Sequence, residues 1–275
     1  MNVGLVSHNY LQKILKFMKN IIPSFWMFAT FAIMVSCKKN GFKVTEKVPS
    51  EGSAQVKLAF FSAYTVNPTA ILYINDKAVS NTLSAPISFP GGGLNMNGSL
   101  NGDYLFVTPG ATKIQGFRPV FGTGNIQSKL FEFTETFSAN TFYTYFITDT
   151  SINTTGFAIE DKRSKPDSGF VRFKFVNAMP NVPSIDLYKG STNATATLFK
   201  GAIAYKGVSD NFDVSIPVSD SFFIRPAGAL STTLPIARRA FTASLFNQRV
   251  YTLLARGYNN GIANLIPNLS VIINQ

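Results

Sequence analysis

The sequence predicts an all-β protein: two tandem immunoglobulin-like β-sandwich domains behind a lipoprotein signal peptide. Three observations carry that expectation. Gly, Pro and Asn punctuate short segments rich in Phe, Val, Ile, Tyr and Thr, and no long stretch keeps a 3.6-residue apolar period. One β unit occurs twice, Val56-Lys57-Leu58-Ala59-Phe60 aligning with Val171-Arg172-Phe173-Lys174-Phe175 at an offset of 115 that holds through Leu72-Tyr73 and Leu187-Tyr188. An apolar run ends two residues before the single cysteine, Cys37.

At the N-terminus, Lys13, Lys16 and Lys19 precede the run Ile21 to Val35, and Ser36 follows it. A cationic start, an apolar middle and a small residue at the cut make a secretory signal over residues 1–36. The run is short of the ~20 apolar residues that a membrane span needs. Met18 offers an alternative start, because Met18-Lys19-Asn20 and the apolar run already form a complete signal. Met34-Val35-Ser36-Cys37 resembles a lipobox. That resemblance implies acylation of the Cys37 sulfur and a mature chain held in outer-membrane lipid. An uncleaved anchor followed by a free structural cysteine is the alternative. Lys38-Lys39 stand where an acidic run would resemble a surface-export signal, so the periplasmic leaflet is favoured over the cell surface.

Residues 37–53 are polar and contain Pro49 and Gly52, which reads as a tether. The first sandwich is expected over 54–160 and the second over 169–275, each large enough for its own core. Residues 161–168 (DKRSKPDS) read as a polar linker between them. In Val171-Arg172-Phe173-Lys174-Phe175 the alternation places apolar side chains inward and cations outward. Phe142-Tyr143-Thr144-Tyr145-Phe146-Ile147 is aromatic on both faces, so it needs cover from the facing sheet on one side and a loop or the neighbouring domain on the other. Phe133-Thr134 and Tyr143-Thr144 match Phe241-Thr242 and Tyr251-Thr252 at slightly different offsets, as indels confined to loops produce.

Composition narrows the chemistry. Beyond residue 36 there is no His and no Trp, since His8 and Trp26 both lie in the leader. Imidazole-assisted nucleophilic catalysis and Cys/His zinc sites therefore have no ligands or bases in the mature chain. A carboxylate-dependent glycan hydrolase remains the enzymatic alternative. Its most tempting pair is Glu132 and Glu135, which a strand places on opposite faces. Three of the 25 Lys and Arg lie in the leader, and all 14 Asp and Glu lie beyond Cys37, so 22 minus 14 leaves the mature chain at +8. A basic surface outside the cytoplasm suits an anionic glycan or an envelope protein rather than nucleic acid, with plain solubility as the alternative, and no run of Lys or Arg exceeds two, which weakens the case for a dedicated patch.

Phe170-Val171-Arg172-Phe173-Lys174-Phe175-Val176-Asn177-Ala178-Met179-Pro180, continuing to Ile185-Asp186-Leu187-Tyr188, resembles the opening of domain-of-unknown-function family 4397. The first copy follows the pattern with Ser62-Ala63 for Asn-Ala and Ile71 for the Asp. With the lipobox, the resemblance implies an envelope lipoprotein of Bacteroidota-type bacteria, a β-sandwich without catalytic residues. Asn177 and Asp186 are the polar positions to examine: their oxygens suit calcium or a sugar, and Asn177 before Met179-Pro180 suits a turn cap. Tyr64, Tyr104, Tyr145, Tyr205 and Tyr258 are the rings left for glycan stacking. The expected function is a non-catalytic binding or adhesion module that needs no cofactor. The alternative is a fimbrillin-like assembly subunit, which would use the apolar segment Leu269 to Ile273 as an exchanged strand.

Overall fold

The computed structural model describes residues 52–62, 69–91, 102–120, 123, 125–241 and 245–275. Cys37, the leader, most of the tether and Tyr64 lie outside the described residues. The first half contains β1 (Ala54–Phe60), β2 (Thr69–Ile74), β3 (Lys77–Ala78), β4 (Leu83–Ser84), β5 (Ile87–Phe89), β6 (Leu105–Val107), β7 (Gly110–Pro119), β8 (Ile126–Phe137), β9 (Phe142–Thr148) and β10 (Thr155–Glu160). The second contains β11 (Phe170–Asn177), β12 (Ser184–Gly190), β13 (Thr197–Ala204), β14 (Phe212–Ser215), β15 (Ser221–Pro226), β16 (Ala237–Ala240), β17 (Val250–Arg256) and β18 (Asn268–Ile273).

Each half is a sandwich of two sheets, and the strand order repeats. In the first half β10-β9-β1-β5 faces β3-β2-β7-β8; in the second β18-β17-β11-β14 faces β13-β12-β15-β16. In both, the opening strand runs parallel to the penultimate one, β1 with β9 and β11 with β17. The registers also correspond. Lys57 lies opposite Thr144 and Lys174 opposite Thr252, which makes Lys57 equivalent to Lys174, 117 positions on. The sequence alignment placed Lys57 on Arg172 instead. A shift of two residues keeps every side chain on its face, so alternation alone cannot detect it.

Alternation builds both cores. Val56, Leu58 and Phe60 of β1 point with Tyr145 and Ile147 into the first core, and Val171, Phe173 and Phe175 of β11 point with Tyr251 and Leu253 into the second. Phe173 touches the rings of Phe212, Phe222, Phe241 and Tyr251, an aromatic centre in which each buried ring contributes ~1.5–3 kcal/mol. β18 completes its own sandwich, pairing with β17 and burying Leu269, Val271 and Ile273.

The two sandwiches belong to one compact unit. The outward faces of the β1 and β11 sheets meet, and Ala59, Phe61, Phe146 and Ile159 pack on Val176, Ala178, Leu254 and Ile272. This seam supplies the second cover that the doubly aromatic β9 requires. It also corrects two expectations from the sequence. Lys174, outward from its own sandwich, is buried against the other one, and Asp161, read as part of a solvated linker, is buried too.

Paired contacts across the seam fix its two ends. Lys57, Lys174, Asp161 and Asn274 meet beside the starts of β1 and β11; at the other end Thr148 Oγ1 donates to the Ala178 carbonyl (2.8 Å) and Lys206 Nζ to Thr155 Oγ1 (2.8 Å). The tether enters at the first of these, the near end, where the Asn140 N–H donates to the Ser53 carbonyl. The hairpin loops between β9 and β10 and between β17 and β18 lie at the far end.

Candidate functional site

The near half of the seam is a buried polar cluster with quasi-twofold symmetry. Lys174 Nζ donates to the Glu160 carbonyl (2.8 Å) and to Asp161 Oδ1, reaching the end of the last strand of the first sandwich. Lys57 Nζ donates to the Ile273 carbonyl (2.5 Å), reaching the end of the last strand of the second. Asp161 therefore corresponds to Asn274. Thr144 Oγ1 donates to Asp161 Oδ2 (2.6 Å), and Thr252 Oγ1 donates to Asn274 Oδ1 (2.8 Å). Tyr104 spans the two: its hydroxyl donates to Asp161 Oδ2 (2.9 Å), and Asn274 Nδ2 donates back to that hydroxyl (3.3 Å). Arg163 lies over Phe142, its guanidinium carbon 4.2 Å from the ring centroid, and donates to the Asn274 carbonyl (2.9 Å).

The symmetry stops at charge. The side chains of Lys174 and Asp161 are 7% and 0% exposed and neutralise one another. Lys57 has the Ile273 carbonyl and the face of Tyr104, 4.7 Å from the ring centroid, where Lys174 has a carboxylate. Burial lowers its pKa to about 8, and the attraction of Asp161 offsets that only in part. Burial and the neighbouring Asp161 carboxylate raise the Tyr104 phenol well above its ordinary value. A lysine titrating near neutrality has the reactivity of a nucleophile, but Lys57 is sealed from solvent. What the cluster can do is fix how one sandwich sits on the other.

The residues singled out in the sequence do not form one site. Asn177 is buried as a turn cap: its Oδ1 accepts the Met179 N–H (3.0 Å) and its Nδ2 donates to the carbonyls of Val182 and Ile203. Asp186 is buried on the outer face of β12, where its two oxygens accept the N–H groups of Ala202 (2.7 Å) and Gly228 (2.8 Å). Ala202 has φ 56°, so this carboxylate holds a left-handed residue at an irregular step of β13. Tyr104 belongs to the seam, and Tyr145 is in the first core. Glu132 and Glu135 lie on opposite faces of β8, and Glu132 pairs with Lys129 and Gln115. Among the described residues no group of three Asp, Glu, His or Cys is placed to hold a metal.

Tyr205 and Tyr258 do come together, at the far end of the seam. The Tyr258 hydroxyl donates to Asp149, tying the β17–β18 loop to the β9–β10 loop. Burial and Asp149 push the Tyr205 phenol up to about 12. Around them stand aliphatic side chains that the sequence reading missed. Ile152 is 96% exposed on the β9–β10 loop, Ile262 77% exposed on the β17–β18 loop, and Leu234 81% exposed on the β15–β16 loop, with Val120, Ile126, Val208, Leu230 and Ile266 exposed on loops or strand ends at this same end. The near end exposes Phe106, Phe170 and Phe246 instead, with one aliphatic side chain, Leu198, near the start of β13. Apolar residues without period 2, inside Asn- and Gly-rich segments such as Asn259-Asn260-Gly261-Ile262, were the available signal.

Residues 56–188 match the family described as a domain of unknown function (DUF4397), a stretch that starts on β1 and ends on β12. No curated protein matches this chain significantly. Among solved structures, a leucine-rich repeat protein from Bacteroides thetaiotaomicron VPI-5482 is similar at 16% identity with a TM-score of 0.18. The alignment covers 70% of this chain and 24% of that protein, so the chain spans about a quarter of its length.

Proposed function

We propose that the chain is a non-catalytic cell-envelope lipoprotein of Bacteroidota-type bacteria, a tandem pair of family 4397 domains of immunoglobulin-like type. In this reading Cys37 is acylated and held in the outer membrane, with the periplasmic leaflet favoured, and the far end of the paired sandwiches binds a partner. The observation that carries the reading is the exposed aliphatic set at the end opposite the tether, at Ile152, Leu234, Ile262 and their neighbours. Exposed apolar loops on a rigid double sandwich are the form of a binding surface, and their aliphatic chemistry favours a protein partner over an anionic glycan. The seam supports the reading, because two sandwiches fixed together present loops from both at a constant spacing.

In-cell photocrosslinking tests the binding half. A photoreactive residue at Leu230 or Ile262 should give one discrete adduct, whereas one at Ser219, at the near end, should not. Adducts of equal yield from all three positions, or from none, would overturn the far-end assignment. Cys37→Ala with cell fractionation tests the anchor, and membrane association that survives the substitution removes the lipid from the reading.

A further inference from the structure

We infer that the near end rests on a phospholipid surface, with Phe170 and Phe246 seated at its headgroup–acyl boundary; this extends the reading of Cys37 as the lipid anchor. Topology places the relevant groups together. Phe170 opens β11, Phe246 lies in the loop before β17, and Phe106 is on β6 opposite Gln55 at the start of β1; all three rings are exposed. Beside Leu245 and Phe246, an apolar hollow of about 320 Å³ is lined by Ile216, Pro217, Val218, Phe241 and Leu245.

The occupant follows from where the chain enters. The tether reaches the fold at Ser53, at this end, and the sixteen residues 37–52 span at most ~55 Å when fully extended. An acylated Cys37 would keep this end within that distance of lipid. Among the described residues the exposed aromatic rings, which enter the membrane interface, are all at this end, joined by Leu198 at the start of β13, whereas the far end exposes only aliphatic side chains among its large apolar residues.

The test uses the full-length protein, processed in cells and reconstituted in vesicles of phosphatidylethanolamine and phosphatidylglycerol that carry doxyl-labelled acyl chains. A polarity-sensitive thiol dye is placed by Ser219→Cys at the near end or Ser231→Cys at the far end, lipid on Cys37 leaving the new thiol as the one that reacts. The dye at 219 should shift to shorter wavelength and be quenched, the dye at 231 should do neither, and Phe246→Ser or Phe170→Ser should reduce the quenching at 219. No quenching at 219, equal quenching at 231, or quenching indifferent to both Phe substitutions would overturn the inference. Labelling of Cys37 in the unsubstituted protein would instead break the anchor reading; the dye pattern, repeated in a Cys37→Ala background, would still decide the surface contact.

Discussion

Lys57 and Lys174 occupy the same place in two copies of one fold, and each reaches across the seam to the last strand of the other sandwich. Lys174 bonds a carboxylate, Asp161, whereas the residue at the equivalent place in the other sandwich is a carboxamide, Asn274. The pair is a natural substitution experiment. For Lys57 the loss of hydration on burial outweighs the attraction of Asp161 and Asp103, and the ammonium gives up part of its affinity for the proton. The seam thus contains one ion pair and one cation held by a carbonyl, the face of Tyr104 and the fields of Asp161 and Asp103.

Removing the carboxylate breaks the comparison most severely. Asp161→Ala leaves buried Lys174 without its anion, removes the larger of the two attractions on Lys57, and strips the acceptor from Thr144 and Tyr104. The expected cost is about 3–5 kcal/mol, as for other buried pairs deprived of one partner. Thermal unfolding should fall by roughly 10 °C. The substitution should also loosen the seam, so that limited proteolysis cuts within 161–168, where Pro166 is buried and Arg163 is pinned in the unaltered protein. A loss below ~1 kcal/mol, read by urea denaturation, would mean that the ion pair contributes no more than a surface pair.

The unequal partners of the lysines predict a pH dependence whose sign is fixed. Folding lowers the Lys57 pKa from 10.5 to about 8, so between those values the unfolded chain binds more protons than the folded one. Unfolding free energy should therefore rise with pH from about 8 to 10, by at most on the order of 3 kcal/mol. Below pH 8 the buried charge is present and the gain is absent. Above pH 10 the trend should reverse, because Tyr104 and Tyr205, both raised by folding, hold protons that the unfolded chain has released. Lys57→Met should abolish the rise and be neutral or stabilising at pH 7, as hydrophobic replacements of buried ions often are. Asn274→Asp should flatten the rise by the opposite route, giving Lys57 the partner that Lys174 has. Denaturation midpoints across this range for the three proteins decide the matter, and a rise that persists in Lys57→Met would assign it to another group.

Much of the fold was legible because alternation and repetition are local properties. Val171, Phe173 and Phe175 point inward as their spacing requires, and the repeated strand order was anticipated by the repeated sequence. The seam was not legible, since nothing in Arg172-Phe173-Lys174 says whether the outward face meets water or another sheet. Arg172 does reach the surface, pairing with Asp213, while Lys174 two residues on is buried. Asp161 read as linker because its neighbours Lys162 and Lys165 are exposed, as linker residues are. Of the candidate side chains, Asn177 and Asp186 were polar residues in apolar runs, a pattern that a structural hydrogen bond produces as readily as a ligand site does.

The smallest expected difference lies between the two threonines, and it isolates what a formal charge adds. Thr144 and Thr252 are equivalent, both buried, each donating one hydroxyl bond to residue 161 or 274 of its own sandwich. Thr144 donates to a carboxylate and Thr252 to a carboxamide, at 2.6 and 2.8 Å. A bond to a charged group contributes about 1.5–3 kcal/mol and a neutral one about 0.5–1.5. Thr144→Val should therefore destabilise more than Thr252→Val, by roughly 1 kcal/mol, with the isosteric side chain keeping the packing. The difference should vanish in an Asn274→Asp background, where both threonines donate to a carboxylate. A double-mutant cycle on these positions measures it, and equal losses in the unaltered background would show that Asp161 draws its stabilisation from Lys174 and Tyr104 rather than from Thr144.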